Sequence, residues 1–407
     1  MNYKKVLINK WYLLLPIGSI LFYALRTLFC DFPKPLGLDF NAFYYAGKYI
    51  FSHPEWIYTD QIMPGYVYFP GFASIFSLLS IFPYEYALVI YFILLLLFAE
   101  LSIIYLDQIL TIKEVNIKMK IPILLAVAGG HVVTLVFEMV QSKYIAAFLL
   151  LLFLKRELQR EEKEFDLKFF AGQGIILVIL ISILPYLFCP ALIYLLYNSD
   201  GIFTTNQLRK YLLLFAEFFI FNFMFLVQPY LILDYLNRIF NQFITSETIL
   251  FRRALPIMIF YYINAIISIP WELVSGIIII CFFFLNTVYM IYLKKPIEIK
   301  FGLFFLFFLL FSNPFYPYTH YAVLLPVIIL LFRKLNIKSL FAVFLIYLSY
   351  YIDPFSLFDV GVLQIDLLFL IFPSYPNLIY IILLVLFYVQ ESDMELFKSL
   401  ENILNEN

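Results

Sequence analysis

The sequence predicts an all-α polytopic membrane protein, and three observations carry that expectation. The 407 residues are 64% hydrophobic and only 14% charged, with mean hydropathy +0.93, so a soluble domain built from them would have too little polar surface to cover itself. Apolar runs of about 18 residues or more recur along the chain, each long enough to cross a bilayer as a helix. Lysine and arginine gather in alternate connections between those runs, as the preference of basic loops for the cytoplasm requires.

The elements follow in order. Lys4, Lys5 and Lys10 precede a first apolar run at 11–29. A basic start before an apolar run also describes a secretory signal. This run is long, lacks a small-residue cleavage site and contains Arg26, so it is expected to be a retained helix with a cytoplasmic N-terminus. Residues 31–85 form a first extracytoplasmic loop. Within it 71–82 is apolar but about 12 residues long, short of the roughly 17–25 a crossing needs, and is expected to be re-entrant or to lie along the surface. The second run, 86–106, ends at TIKEVNIKMK, whose Lys113, Lys118 and Lys120 are expected in the cytoplasm. The third, 121–137, returns outward and leaves Glu138 and Gln141 at the outer face; the fourth descends to Lys155. The stretch KRELQREEKEFDLK is the most charged of the chain and is expected to be a solvated helix end.

The fifth and sixth runs, 169–182 and 186–197, flank Pro185. Residues 198–210 are cytoplasmic, 211–231 cross outward, and 233–271 form a second extracytoplasmic loop in which 256–269 is apolar and open to either placement. An eighth run, 273–292, ends at KKPIEIK; a ninth, 301–311, opens into SNPFYPYTHY; a tenth ends at Arg333 and Lys334. An eleventh, 340–351, leads to an outer segment with Asp353, Asp359 and Asp366, and 378–389 leads into a cytoplasmic tail at 390–407. The expectation is about twelve spans in one domain over 1–407, multi-pass in the plasma membrane with both termini in the cytoplasm.

Net charge is −1, without the basic patch that nucleic-acid binding needs. Cys30, Cys189 and Cys281 are far apart, form neither a metal spacing nor a disulfide framework, and are expected to be packing residues. The chain has no glycine-rich nucleotide loop and no cluster of metal-ligand residues, so no cofactor or metal is assigned. A donor for chemistry at the outer face must then arrive in the membrane, which a lipid-linked sugar does.

Asp39 is the first candidate for chemistry. It follows an apolar span among aromatic residues, where a carboxylate loses part of its water. A desolvated carboxylate there can take a proton from an alcohol; the competing reading is a helix N-cap, for which aspartate is equally suited. In a helix, Phe43 and Gly47 share its face. His320 follows two prolines and heads a new span, where an imidazole can donate to a phosphate oxygen or be satisfied by interfacial water. Arg252 and Arg253 break the distribution of basic residues locally and suit either a phosphate clamp or snorkelling at the interface. Lys143, two residues after Gln141, is a second phosphate candidate. Among the aromatics, Tyr44, Tyr45, Tyr58, Tyr66 and Tyr68 are of the kind that stacks on sugar faces, against a general role as an interfacial girdle. His53 sits in an exposed Ser-His-Pro loop, and His131 is expected to be a packed polar contact.

Asp39-Phe40, Tyr44-Tyr45-Ala46-Gly47, Ile57-Tyr58 and Tyr66-Val67-Tyr68-Phe69-Pro70 resemble the first-loop signature of glycosyltransferase family 87, polyprenyl-phosphate-mannose-dependent enzymes of GT-C type. Gln141, then Asn241-Gln242, then Asn313-Pro314 through His320 resemble later motifs of that family in the same order. The resemblance implies a GT-C fold and an inverting transfer of a hexose, mannose above all, from a polyprenyl-phosphate sugar to a lipid-linked or glycan acceptor. It implies Asp39 as the base and His320 beside the donor phosphate. Some GT-C enzymes use a divalent cation, and the pattern here is compatible with one. The chain departs from the family at Gly71, where a second proline is usual, at Tyr318, where tryptophan is usual, and after the fifth span, where Ser182 and Pro185 come without the usual lysine. The rival class is a lipid or sugar transporter or flippase without chemistry, which predicts inverted repeats and broken helices at the midplane. The sequence shows no internal repeat, and its polar residues gather at one face. A purely structural membrane protein is the third option, and it gives no reason for several outer loops to carry Asp, Gln, Arg and His together.

Overall fold

A computed structural model describes residues 10–29, 36–59, 62, 65–129, 131–160, 166–197, 204–244, 271–312, 317–331 and 382–388 apart from 384; at 131, 132, 240–244, 271–276, 279, 312, 317–319, 321 and 325 it describes the backbone alone. The described chain is 82% helical and has no strand. Among the described residues, three stretches are long and apolar enough to cross a membrane: Trp11–Phe29, Tyr84–Ile112 and Ile117–Met139. The eleventh run, the acidic segment after it and residues 256–269 lie outside the described residues.

Helix α1 (Leu14–Phe29) follows a single 3-10 turn. Two short helices, α2 (Leu38–Tyr49) and α3 (Pro70–Leu79), occupy the first loop. Helix α3 is the 71–82 run; at ten residues it is too short to cross, and it lies against α2. Next come α4 (Tyr84–Ile112), α5 (Ile117–Ala128), α6 (His131–Met139) and α7 (Lys143–Leu158). The third run is thus two helices, parted at Gly129. Helix α8 (Leu167–Ile183) stops before Pro185, where a 3-10 turn leads into α9 (Phe188–Leu195). Then follow α10 (Thr205–Phe221), the four-residue α11 (Met224–Val227) and α12 (Tyr230–Ile244). The last three are α13 (Trp271–Tyr292), α14 (Ile297–Phe307), which continues in a π-turn, and α15 (Pro317–Ile329).

Helix α7 is the centre of the bundle, packing on α4, α8 and α15. Ala146 and Ala147, both buried, let neighbouring backbones approach closely, as apolar helices in lipid require. The bundle has two unlike ends. At one, Lys10 and Lys120 converge on Asp107, and Lys113 reaches Glu298 at 3.7 Å and the Leu330 carbonyl at 2.8 Å. At the other lie α2, α3, the start of α4, the α6–α7 corner and the ends of α8 and α10.

Three sequence expectations are corrected. The seventh run ends at Phe221, ten residues early, because the Asn222 side chain turns back to serve other backbone. The second loop therefore begins as a helix, α12. The charged stretch after Lys155 is not simply solvated: the Glu157 side chain is only 4% exposed and accepts hydrogen bonds from Gln173 and Tyr194, both at 2.8 Å. Cys189 packs in the core as expected, but Cys281 is exposed on the bundle surface.

The Asn222 latch places the first loop. Its Oδ1 accepts from the Gly71 N–H at 2.9 Å and its Nδ2 donates to Ser182 Oγ at 3.0 Å, while the Phe69 N–H bonds the Ser182 carbonyl at 3.1 Å. A Cβ at residue 71 would stand 2.5 Å from the Phe221 ring and carbonyl, and a proline there would lack the donated hydrogen. Gly47 is the matching contact between α2 and α3: a Cβ there would lie 2.4 Å from the Phe76 carbonyl carbon. Backbone cannot yield as a side chain does, so Gly47→Ala is expected to cost about 1–3 kcal/mol, seen as a lower unfolding midpoint in detergent.

Candidate functional site

Asp39 lies in the first turn of α2, which opens at Gly37 with φ +82, a left-handed conformation suited to glycine. The Gly37 N–H bonds the Glu138 carbonyl at 2.9 Å and so ties α2 to the end of α6. The cap position is Gly37, with no side-chain capping bond, so Asp39 is not the N-cap. Its carboxylate is instead turned across the bundle, where Gln141 Nε2 donates to Oδ2.

The Gln141 corner is shaped by an unusual backbone. Val140 has φ +53, a conformation that costs a β-branched residue about 1–2 kcal/mol. It closes α6 through the Gln141 N–H to Val136 carbonyl bond at 3.0 Å, and then releases the chain directly into α7. The strained residue thereby delivers Gln141, Ser142 and Lys143 in succession to the Asp39 side of the bundle, a placement typical of strain kept for a site.

Burial raises the Asp39 pKa above the ordinary carboxylate value; the Lys143 charge and the Gln141 hydrogen bond offset part of that rise. Lys143 is itself buried, at 5% exposure, and lies within electrostatic reach of both Asp39 and His320. His320, in the first turn of α15, is 6% exposed and shares a 2.9 Å hydrogen bond at Nδ1 with the Tyr186 hydroxyl. Tyr186 stacks on Phe308 at 4.8 Å, which holds its ring. The Tyr68 hydroxyl lies beside Asp39 and Ser142, and burial first, then the Asp39 charge, push its pKa up. Tyr91 of α4 approaches the same group. Gln141 Oε1 and the Tyr91 hydroxyl are buried without a hydrogen-bond partner among the described residues.

A carboxylate, an ammonium and an imidazole from three distant parts of the chain therefore share one polar cluster. Around them stand unsatisfied buried acceptors and hydroxyls of a kind that proteins rarely leave without a use. Such a set can take a proton at Asp39 and meet negative charge at Lys143.

The other candidates are placed differently. The Tyr44 hydroxyl donates to the Phe82 carbonyl at 2.9 Å, and its buried ring packs edge-on to Tyr84, so it props the first loop. Tyr45 is half-buried, stacks on Tyr49, and has Lys48 Nζ 5.8 Å from its ring. Tyr58 and Tyr66 donate to the carbonyls of Tyr68 and Phe69 at 2.9 and 3.0 Å and hold the strand-like segment that carries Tyr68. Asn241 and Gln242 fall in the last turn of α12. Arg252 and Arg253 lie outside the described residues. His53 is exposed and stacked on Trp56 at 4.2 Å, and His131 opens α6. Among the described residues no three His, Cys, Asp or Glu side chains converge in the manner of a metal site.

Sequence reasoning missed Tyr186, Ser142 and Tyr91. The only signal for Tyr186 was its place just after Pro185; Ser142 and Tyr91 carry none beyond polarity in an apolar setting. No model of a known protein family matches the chain, and no curated protein matches it.

Proposed function

We propose that the chain is a membrane glycosyltransferase of GT-C type that moves a hexose, mannose by the first-loop resemblance, from a polyprenyl-phosphate sugar to a lipid-linked or glycan acceptor. The observation that carries this reading is the meeting of Asp39 with Gln141, Lys143 and His320 at one end of the helical bundle. The other end holds Lys10, Lys113 and Lys120, which the distribution of basic residues assigns to the cytoplasm. Asp39 then faces the extracytoplasmic side of a chain of about twelve spans.

The reaction is a single displacement. The acceptor hydroxyl gives its proton to Asp39 as its oxygen bonds to the anomeric carbon. The bond from that carbon to the phosphate oxygen breaks, and the polyprenyl phosphate leaves with the electron pair. His320, hydrogen-bonded at Nδ1 to Tyr186, eases the charge on the departing phosphate as a neutral hydrogen-bond donor through its other ring nitrogen, and Arg252 and Arg253 are the sequence's candidates for positive charge there. A base that loses its proton reluctantly is the better acceptor, and burial gives Asp39 that character.

The test is full-length protein in proteoliposomes with polyprenyl-phosphate mannose and membrane lipid extract, followed by mass spectrometry for a new glycolipid. Product is expected, and its rate should fall on acidification. The base works deprotonated and its pKa is raised, so the acid limb should lie above the unperturbed aspartate value of 3.8. Lipid movement with no new glycolipid would support a transporter instead.

A further inference from the structure

Tyr91 carries a hydroxyl that its packing does not use. It lies about two turns into α4, roughly 10 Å from the helix start, and is 2% exposed. Its ring stacks on Phe40 at 5.4 Å and meets Phe76 and Phe43 edge-on at 4.9 and 6.2 Å. These partners are all phenylalanines, and a phenylalanine at 91 would fill the same space. The hydroxyl is nevertheless there, buried and without a hydrogen-bond partner among the described residues. A polar group left unpaired at that depth is costly, and proteins keep few of them without a use.

The surroundings of the hydroxyl indicate that use. Phe40 and Phe43 belong to α2, the helix that carries Asp39, and the Tyr91 hydroxyl lies within electrostatic reach of the Asp39 carboxylate and the Tyr68 hydroxyl. His320 senses Lys143 instead. Tyr91 thus adjoins the base, while the imidazole adjoins the ammonium. Gln141 supplies a complementary atom. Its Nε2 is committed to Asp39, and its Oε1 is left as a buried acceptor without a partner among the described residues. One open donor and one open acceptor therefore stand near the base. Neither carries a charge, so the pair suits neutral hydroxyls better than phosphate. Asp39 and Gln141 are half-buried and mark the open side of the cluster, with Tyr91 on its buried side.

We infer that Tyr91 is a substrate-binding residue that reads a second hydroxyl of the acceptor, beside the one that attacks. The attacking hydroxyl meets Asp39, a neighbouring hydroxyl accepts a hydrogen bond from Tyr91, and Gln141 Oε1 accepts one from the same molecule. The acceptor that fits is a ring with adjacent hydroxyls, such as a sugar, and not a lone alcohol such as a serine side chain or a diacylglycerol. The inference rests on the transferase reading and narrows its acceptor. A site built to hydrogen-bond a hydroxyl rejects a ligand that lacks it, because the site's own buried atoms are then left unpaired.

The probes are octyl α-mannoside, its monodeoxy analogues and 1-octanol. Their binding to full-length protein in nanodiscs is measured without donor by ligand-observed NMR, and turnover is measured separately with polyprenyl-phosphate mannose in proteoliposomes. Tyr91→Phe should weaken octyl mannoside binding by about twofold to tenfold, the worth of one neutral hydrogen bond, and raise the acceptor KM alike. Donor KM and unfolding midpoint should stay at the wild-type values. One deoxy analogue should bind wild type as weakly as the parent glycoside binds Tyr91→Phe, and should lose nothing further in the variant, the signature of two groups in contact. 1-Octanol should bind both proteins equally. Equal affinity of wild type and Tyr91→Phe for octyl mannoside overturns the inference and assigns the hydroxyl to a buried water. So does a Tyr91→Phe loss of one size for the parent and every analogue, which reports general damage, and so does the absence of mannoside binding to wild type. Hydroxyl-specific binding without turnover would remove the transferase reading and leave the Tyr91 contact standing.

Discussion

Asp39→Asn should lower sugar transfer by about a hundredfold to ten-thousandfold, the usual contribution of a positioned general base. The substitution is close to isosteric. Its Oδ1 can still accept from Gln141 Nε2, so the tie between α2 and the α6–α7 corner survives. What disappears is the ability to hold a proton as the acceptor oxygen attacks. The loss should therefore fall on kcat with donor KM little changed, and expression, membrane insertion and unfolding midpoint should stay near wild type. Removing the carboxylate also takes away the charge that Lys143 senses, so the ammonium meets an incoming phosphate without competition. Donor binding should be kept or tightened while chemistry stops. Wild-type turnover by Asp39→Asn would remove Asp39 from the mechanism.

The helical class was legible because composition and apolar run length state it directly. The turns at Gly129 and Pro185 also follow from residue chemistry. The end of the seventh run was not legible. Nothing local marks Asn222 as a stop: its role is to receive the Gly71 N–H from a residue 151 positions away. The site divides in the same way. Asp39 and His320 stood out as polar groups at the edges of apolar runs, and Gln141 by resemblance. The Gln141–Asp39 contact depends on Val140 adopting a conformation that its β-branched side chain disfavours, and sequence propensity points the other way. Lys143 stood out only as a phosphate candidate two residues after Gln141. Its importance comes from burial, which only packing of α7 among α4, α8 and α15 creates.

Burial decides the second large effect, at the opposite end of the bundle. Asp107 is fully buried near the end of α4 and receives Lys10 Nζ at 2.8 Å, the Tyr12 hydroxyl at 2.7 Å and Lys120 Nζ at 3.4 Å. Lys120 also donates to Thr111 Oγ1 at 2.5 Å. The sequence placed Lys120 in a basic connection open to water, but its side chain is only 8% exposed. One carboxylate therefore joins the residues before α1, the end of α4 and the start of α5. Asp107→Ala leaves the Lys120 ammonium buried without a counter-charge, which should cost about 3–5 kcal/mol. Lys10→Met should cost far less, because the Lys10 side chain is 36% exposed and its pairing is partly screened by water. The measurement is the unfolding midpoint of the purified full-length variants in one detergent. The double variant Asp107→Leu with Lys120→Met removes both charges and should recover most of the midpoint lost by Asp107→Ala. An unshifted midpoint for Asp107→Ala would show that water reaches Lys120 and that the three segments are held together by apolar packing alone.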